Sequence, residues 1–166
     1  VNSLITSKAG YTYIGQYDGH SYFTSNLSFL WYDAKADAES KGGYLAMLKT
    51  KEENDTVAAM ISSGKYHFGL YQDVADKYFA EPKGGWKWVD GTPVSYTNWH
   101  PSEPSNGDGA EMYGQLTPTF TWNDYPSSLP VYGYPLYTIS FIIEIDKSIS
   151  NSNSLICNGG NDGQTY

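Results

Sequence analysis

The chain has 166 residues, 40% of them hydrophobic and 17% charged, and a formal net charge of −8. This length and apolar content exclude a disordered chain and suit a single domain with one proper core. The negative charge argues against nucleic acid and anionic membrane as partners, and no apolar run approaches the roughly 18 residues that a transmembrane helix needs.

From the start, residues 1–10 read as a polar lead-in, and the opening at Val1 suggests an excised domain or a processed chain. Tyr11 to Ile14 and His20 to Thr24 are expected strands, joined by a turn in which Asp18-Gly19 is a hairpin signal. After Asn26 and Ser28, a helix is expected from about Phe29 to Lys41. Leu30, Trp31, Ala34 and Ala38 recur on its apolar face, and Gly42-Gly43 stop it. Tyr44 to Leu48 reads as a short buried strand. Thr50 and Glu53 form a capping-box pattern that opens a second helix through Val57 to Ile61, ended by Ser62-Ser63-Gly64.

Strands and long loops follow. Tyr66 to Tyr71 is strand-like, Gln72 to Gly85 is a polar loop, and Trp86 to Val89 alternates before an Asp90-Gly91 turn. The Pro-, Gly- and Asn-rich loop 97–111 is long for a compact domain, as functional loops often are. Residues 129–137 form another loop, Thr138 to Ile145 is a strong strand, and 146–166 read as a Ser-, Asn- and Gly-rich tail. Two early helices followed by strands indicate an α+β domain with an antiparallel sheet.

The chemistry concentrates between Trp99 and Asp124. Glu103, Asp108, Glu111 and Asp124 lie there with the neutral oxygens of Ser105, Asn106 and Asn123, and no Lys or Arg falls between the two ends. Carboxylates gathered this way repel unless a cation sits among them. A hard ion taking about six to eight oxygen ligands, calcium above all, suits the set. His20, His67 and His100 show no metal-ligand spacing with cysteine or with each other, which argues against zinc. The single cysteine, Cys157, cannot form an internal disulfide and has no identifiable base beside it. Lack of disulfides points to a reducing compartment, unless bound ions hold together an extracellular domain. The 16 Tyr residues suit sugar or protein recognition and equally serve as strand fillers.

Over roughly residues 11–145 the chain resembles a C-type lectin-like domain, a calcium-dependent carbohydrate-recognition fold. The likeness rests on Trp31, Ala34, Ala38, Gly42-Gly43, Leu45 and Leu48; on His67-Phe68-Gly69-Leu70; and on Trp86-Lys87-Trp88-Val89-Asp90-Gly91. Asn98-Trp99 and the closing Phe141-Ile142-Ile143-Glu144 complete it. The resemblance places Ala38 and Ile143 at one lost disulfide, and Tyr113 and Ser127 at the other. Disulfide-free versions resemble bacterial members found in surface adhesins, which implies an extracellular or cell-surface location as one domain of a larger protein.

By position, the resemblance implies calcium ligands at Glu103, Ser105, Glu111, Asn123 and Asp124, with Pro104 cis and Asp108 as a turn residue. Two neighbouring sugar hydroxyls would complete the ion's shell and bond to Glu103, Ser105, Glu111 and Asn123. Ser105 stands where the family has Asn or Asp, and Asn106 could supply the missing amide. Glu103 favours fucose- or mannose-type sugars over galactose-type ones. A second calcium would use Asp73 and Asp76, although Asn106 and Met112 occupy positions where acids are expected. His100 borders the sugar site, and Tyr125, Tyr132 and Tyr134 of loop 125–137 could widen it. Two other readings stay open: a glycosidase using paired carboxylates, and a lectin-like fold that binds protein. A calcium-bound carboxylate stays ionised and is a poor general acid, so the expectation is a binding module and not an enzyme.

Overall fold

The computed structural model describes residues 10–107, 109–127 and 137–146. The lead-in to Ala9, Asp108, most of the 129–137 loop, the tail beyond Asp146 and Cys157 lie outside the described residues. The strands are β1 Tyr11–Tyr17, β2 His20–Ser25, β3 Tyr44–Leu45, β4 Tyr66–Gln72, β5 Trp86–Trp88, β6 Tyr113–Leu116, β7 Trp122–Tyr125 and β8 Ser140–Ile145. The helices are α1 Trp31–Ser40 and α2 Lys51–Met60.

The expected hairpin joins β1 to β2. Asp18 and Gly19 both take positive φ (47° and 81°), the left-handed pair that a tight two-residue turn requires. α2 begins as its capping pattern predicts, with Glu53 N donating to Thr50 Oγ1 at 3.1 Å. The Glu53 carboxylate reaches back one residue further than a capping box would, accepting from Lys49 N at 2.8 Å. Leu30 caps α1 without a side-chain bond, and Trp31 N donates instead to Ser127 Oγ at 2.9 Å.

The sheet runs β1-β2-β8-β4-β6-β7, with β3 on β8 and β5 on β4. Every pairing is antiparallel except β4 with β8. The expected Tyr44–Leu48 strand is therefore only two residues long, though Ala46 N still bonds Ile142 O at 2.9 Å. Two strands arise where the sequence suggested none. β6 is buried along its whole length between β4 and β7, so its residues show no alternation to read.

Alternation along β8 divides the interior. Phe141 and Ile143 join Trp31, Ala34, Ala38 and Leu45 beside α1, while Ile142 faces Leu48, Val57, Phe68 and Trp122 beside α2. Ala38 and Ile143, at the first lost disulfide, are fully buried in one apolar cluster. At the second, Trp31 stacks on Tyr113 with ring centroids 4.6 Å apart while its backbone amide holds Ser127. Packing thus links both regions where a covalent bond is missing. At Gly114, a Cβ would stand 2.6 Å from Leu70 Cβ, so β6 lies too close to β4 for a side chain there.

Candidate functional site

The acidic loop hangs from a tryptophan core. Trp122 is fully buried, its indole N–H donates to Asn54 Oδ1 of α2 at 2.8 Å, and Trp88, Tyr96 and Trp99 meet it edge-on. Trp86 and Trp88 are buried and Trp99 packs against the same cluster. The loop's entry strand lies along β7: Trp122 N donates to Asn98 O, and His100 N to Trp122 O at 2.7 Å. The chain then turns through Ser102, with φ of 79°, and Glu103 N closes back on His100 O. The Glu103–Pro104 peptide is cis, as expected.

These constraints bring Glu103, Ser105, Asn106 and Asp124 together. Asp124 is buried, and its carboxylate accepts from Ser105 N at 3.0 and 3.1 Å and from Asn106 N at 2.6 Å. The Glu103 carboxyl faces it. Burial pushes that carboxyl above the usual carboxylate range, the Ser105 hydroxyl works against the rise, and the Asp124 charge adds to it. Glu103 Oε2 is shut off from solvent and has no hydrogen-bond partner. No Lys or Arg among the described residues pairs with Glu103 or Asp124. A buried carboxylate oxygen beside a second carboxylate is an arrangement that a cation stabilises, so the donor set fits calcium.

The remaining expected ligands stand around this pair. Asn106, with φ of 49°, accepts from Glu111 N at 3.2 Å through Oδ1, and Glu111 Oε2 is turned onto Gly107 N. Asn123 is half-buried with its amide 3.5 Å from Gln115 Oε1. Adjacent residues of a strand point to opposite faces, which sends the Asn123 side chain away from that of Asp124. His100 is exposed and its Nδ1 donates to Pro101 O at 3.0 Å.

The residues expected to hold a second ion are already engaged. Lys87 Nζ lies 2.8 Å from Asp73 Oδ2 and 2.8 Å from Asp76 Oδ2. The ammonium's hydrogen bonds hold both carboxyls below the usual range. Sequence reading missed this partner. The signal was available, since β5 is the strand that follows the loop carrying both acids.

Sequence reading also missed a second polar cluster where β2 and β3 flank β8. His20, Tyr44, Glu144 and Asp146 meet on one face, with His20 Nδ1 2.9 Å from Glu144 Oε1 and 3.0 Å from Asp146 Oδ1. Tyr44 OH donates to Glu144 Oε1 at 2.9 Å, and Met47 N donates to Oε2 at 2.9 Å. Glu144 is buried, which raises its pKa to about 7, and nearby Glu53 adds to the rise. Elsewhere, His67 is held neutral by burial, with its pKa lowered to about 4.

A family model, that of the Lectin C-type domain, matches residues 28–132. A perlucin-like protein of the mussel Mytilus galloprovincialis is 33% identical over 122 residues, spanning 72% of this chain and 76% of the relative. The carbohydrate-recognition domain of the mouse scavenger receptor C-type lectin superposes with a TM-score of 0.67. That match covers 86% of this chain and 98% of the neighbour at 22% identity. A calcium-independent type II antifreeze protein shares the fold with a TM-score of 0.61, over 82% of this chain and 91% of its own, at 24% identity. None of the three supports the expected likeness to bacterial adhesins.

Proposed function

The chain belongs to the Lectin C-type domain family, and on that premise we propose that it binds carbohydrate in a calcium-dependent manner through the loop between Trp99 and Asp124. Domains of this family are in general carbohydrate-binding modules and not enzymes. They are typically secreted or displayed at the cell surface, and no helix among the described residues is long and apolar enough to cross a membrane.

The observation that carries the reading is the unpartnered Glu103 Oε2 beside the buried Asp124 carboxylate. Calcium, when bound, supplies the positive charge that this pair lacks and coordination positions for sugar hydroxyls. Glu103, Ser105, Glu111 and Asp124 are the residues that would hold it, and Asn123 would join them by turning its side chain from Gln115. Backbone amides of Ser105 and Asn106 fix Asp124 in place, so it enters binding already oriented. Glu103 and Glu111 accept hydrogen bonds from hydroxyls on adjacent ring carbons, and charge makes those bonds short and strong. Asn123 and Asn106 are the amides available to donate in return. Glu103 in this position favours fucose- or mannose-type sugars over galactose-type ones. One sugar held through two hydroxyls buries little area, so its affinity is expected near the millimolar range, roughly −4 kcal/mol. Adhesion at a cell surface, with several such domains acting together, would raise it by avidity.

The test is a glycan array run in calcium and again with chelator. Binding to terminal fucose or mannose that disappears with chelator supports the reading; equal signal in both buffers, or none from folded protein, defeats it.

A second reading has one observation in its favour. Backbone N–H groups already satisfy Asp124, and Gly107 N satisfies one Glu111 oxygen, so much of the loop holds itself without an ion. A calcium-independent surface built on this fold would look the same there, and the antifreeze neighbour is described as calcium-independent. The orphaned Glu103 oxygen favours the first reading.

A further inference from the structure

We propose that Lys87 is a built-in cation standing in for the second metal ion of this fold, and that its removal turns Asp73 and Asp76 into a divalent-cation site. All four carboxylate oxygens of the pair are accounted for. Ala75 N donates to Asp73 Oδ1 at 2.9 Å and Tyr78 N to Asp76 Oδ1 at 2.7 Å, which leaves the two Oδ2 atoms converging on Lys87 Nζ. Those two atoms are the ones a metal would need.

The position of Lys87 is fixed by the sheet. β5 pairs with β4 so that Lys87 lies opposite Tyr71, two residues before Asp73, and Lys87 also bridges to Pro93. The lysine side chain is 22% exposed, and those of Asp73 and Asp76 are 26% and 18% exposed. This is a partly dried three-member cluster, where an ion pair is worth more than on an open surface. An ammonium 2.8 Å from each oxygen excludes calcium, which must approach its ligands to about 2.3–2.6 Å.

Two consequences follow. The loop from Asp73 to Tyr78 keeps its shape when calcium is removed, because a protein charge and backbone amides hold it. The calcium response of the sugar site, if that site works as proposed above, is that of a single ion with a Hill coefficient near one.

The test uses Glu103→Ala with Asp124→Ala as background, so that the sugar-site ion does not contribute and the two proposals fail separately. In that background wild-type Lys87 is expected to show no change in Tm between chelator and millimolar calcium. Adding Lys87→Met is expected to lower Tm in chelator and to let calcium recover at least half of the loss. Adding Lys87→Arg, which keeps the charge, is expected to leave the protein unresponsive. If Lys87→Met fails to fold, calcium stoichiometry by native mass spectrometry decides: Asp73→Asn in the otherwise wild-type chain is expected to leave it unchanged. A Lys87→Met protein that ignores calcium, or an Asp73→Asn protein that loses one bound calcium, overturns the proposal.

Discussion

Replacing Glu103 with Gln should move stability in opposite directions with and without calcium. In the ion-free protein Glu103 Oε2 is buried, unpartnered and beside a second carboxylate. Leaving a buried acceptor unsatisfied costs about 1–3 kcal/mol. Glutamine removes the charge and brings an N–H₂ that can donate to Asp124, so the ion-free variant should gain about 1–2 kcal/mol. For a domain of this size that corresponds to about 2–8 °C in Tm. In calcium at about a hundred times its dissociation constant, the wild type should gain about 2.7 kcal/mol, and the variant, whose amide oxygen still ligates but carries no charge, should gain less. The assay is thermal unfolding of both proteins in chelator and in calcium. The sign has a pH check. Glu103 has a folded pKa above its unfolded one, so its ionisation weakens the ion-free fold as pH rises through the carboxylate range. The variant's advantage in chelator should therefore vanish in acid, where Glu103 is protonated. A variant that loses stability in chelator while keeping the full calcium gain would refute the reasoning.

Three further outcomes are expected. Glu144, with its pKa raised to about 7, should destabilise the fold by about 3 kcal/mol as pH rises from about 5 to 8, because the unfolded chain gives up this proton first. Urea titrations of Glu144→Gln should then show it gaining on the wild type over that interval, and a constant difference would contradict this. Asn54→Ala leaves the buried Trp122 indole N–H without its acceptor and should cost about 1–3 kcal/mol; hydrogen exchange should speed up at His100 and Trp122, whose amides tie the acidic loop to β7. Thr50→Ala removes the α2 cap and should cost about 1 kcal/mol by urea unfolding, with no change in calcium response.

Much of the fold was legible because it rests on local chemistry. Asp18-Gly19 specifies a tight hairpin, Thr50 starts a helix, and Trp31, Ala34 and Ala38 mark one helical face whatever they pack against. The acidic stretch was legible for the same reason: four carboxylates without a nearby lysine or arginine in the chain are visible as letters, and so is Glu103-Pro104. β6 and β7 were not, because β6 is covered on both faces and carries no alternating pattern.

The pairings that decide function came only with the tertiary structure. Glu103 and Asp124 are 21 positions apart, and only the pairing of residues 98–100 along Trp122 makes one carboxyl face the other. Asp73, Asp76 and Lys87 read equally well as a vacant metal site or as a neutralised loop; the β4–β5 register places the ammonium between the acids. His20, Tyr44 and Glu144 gather because β2 and β3 both pair with β8. Sequence by itself therefore determined which charges this protein has and which segments turn or coil. Which charge neutralises which depends on distances of a few ångströms between segments far apart in the chain, and strand register and buried tryptophans set those distances.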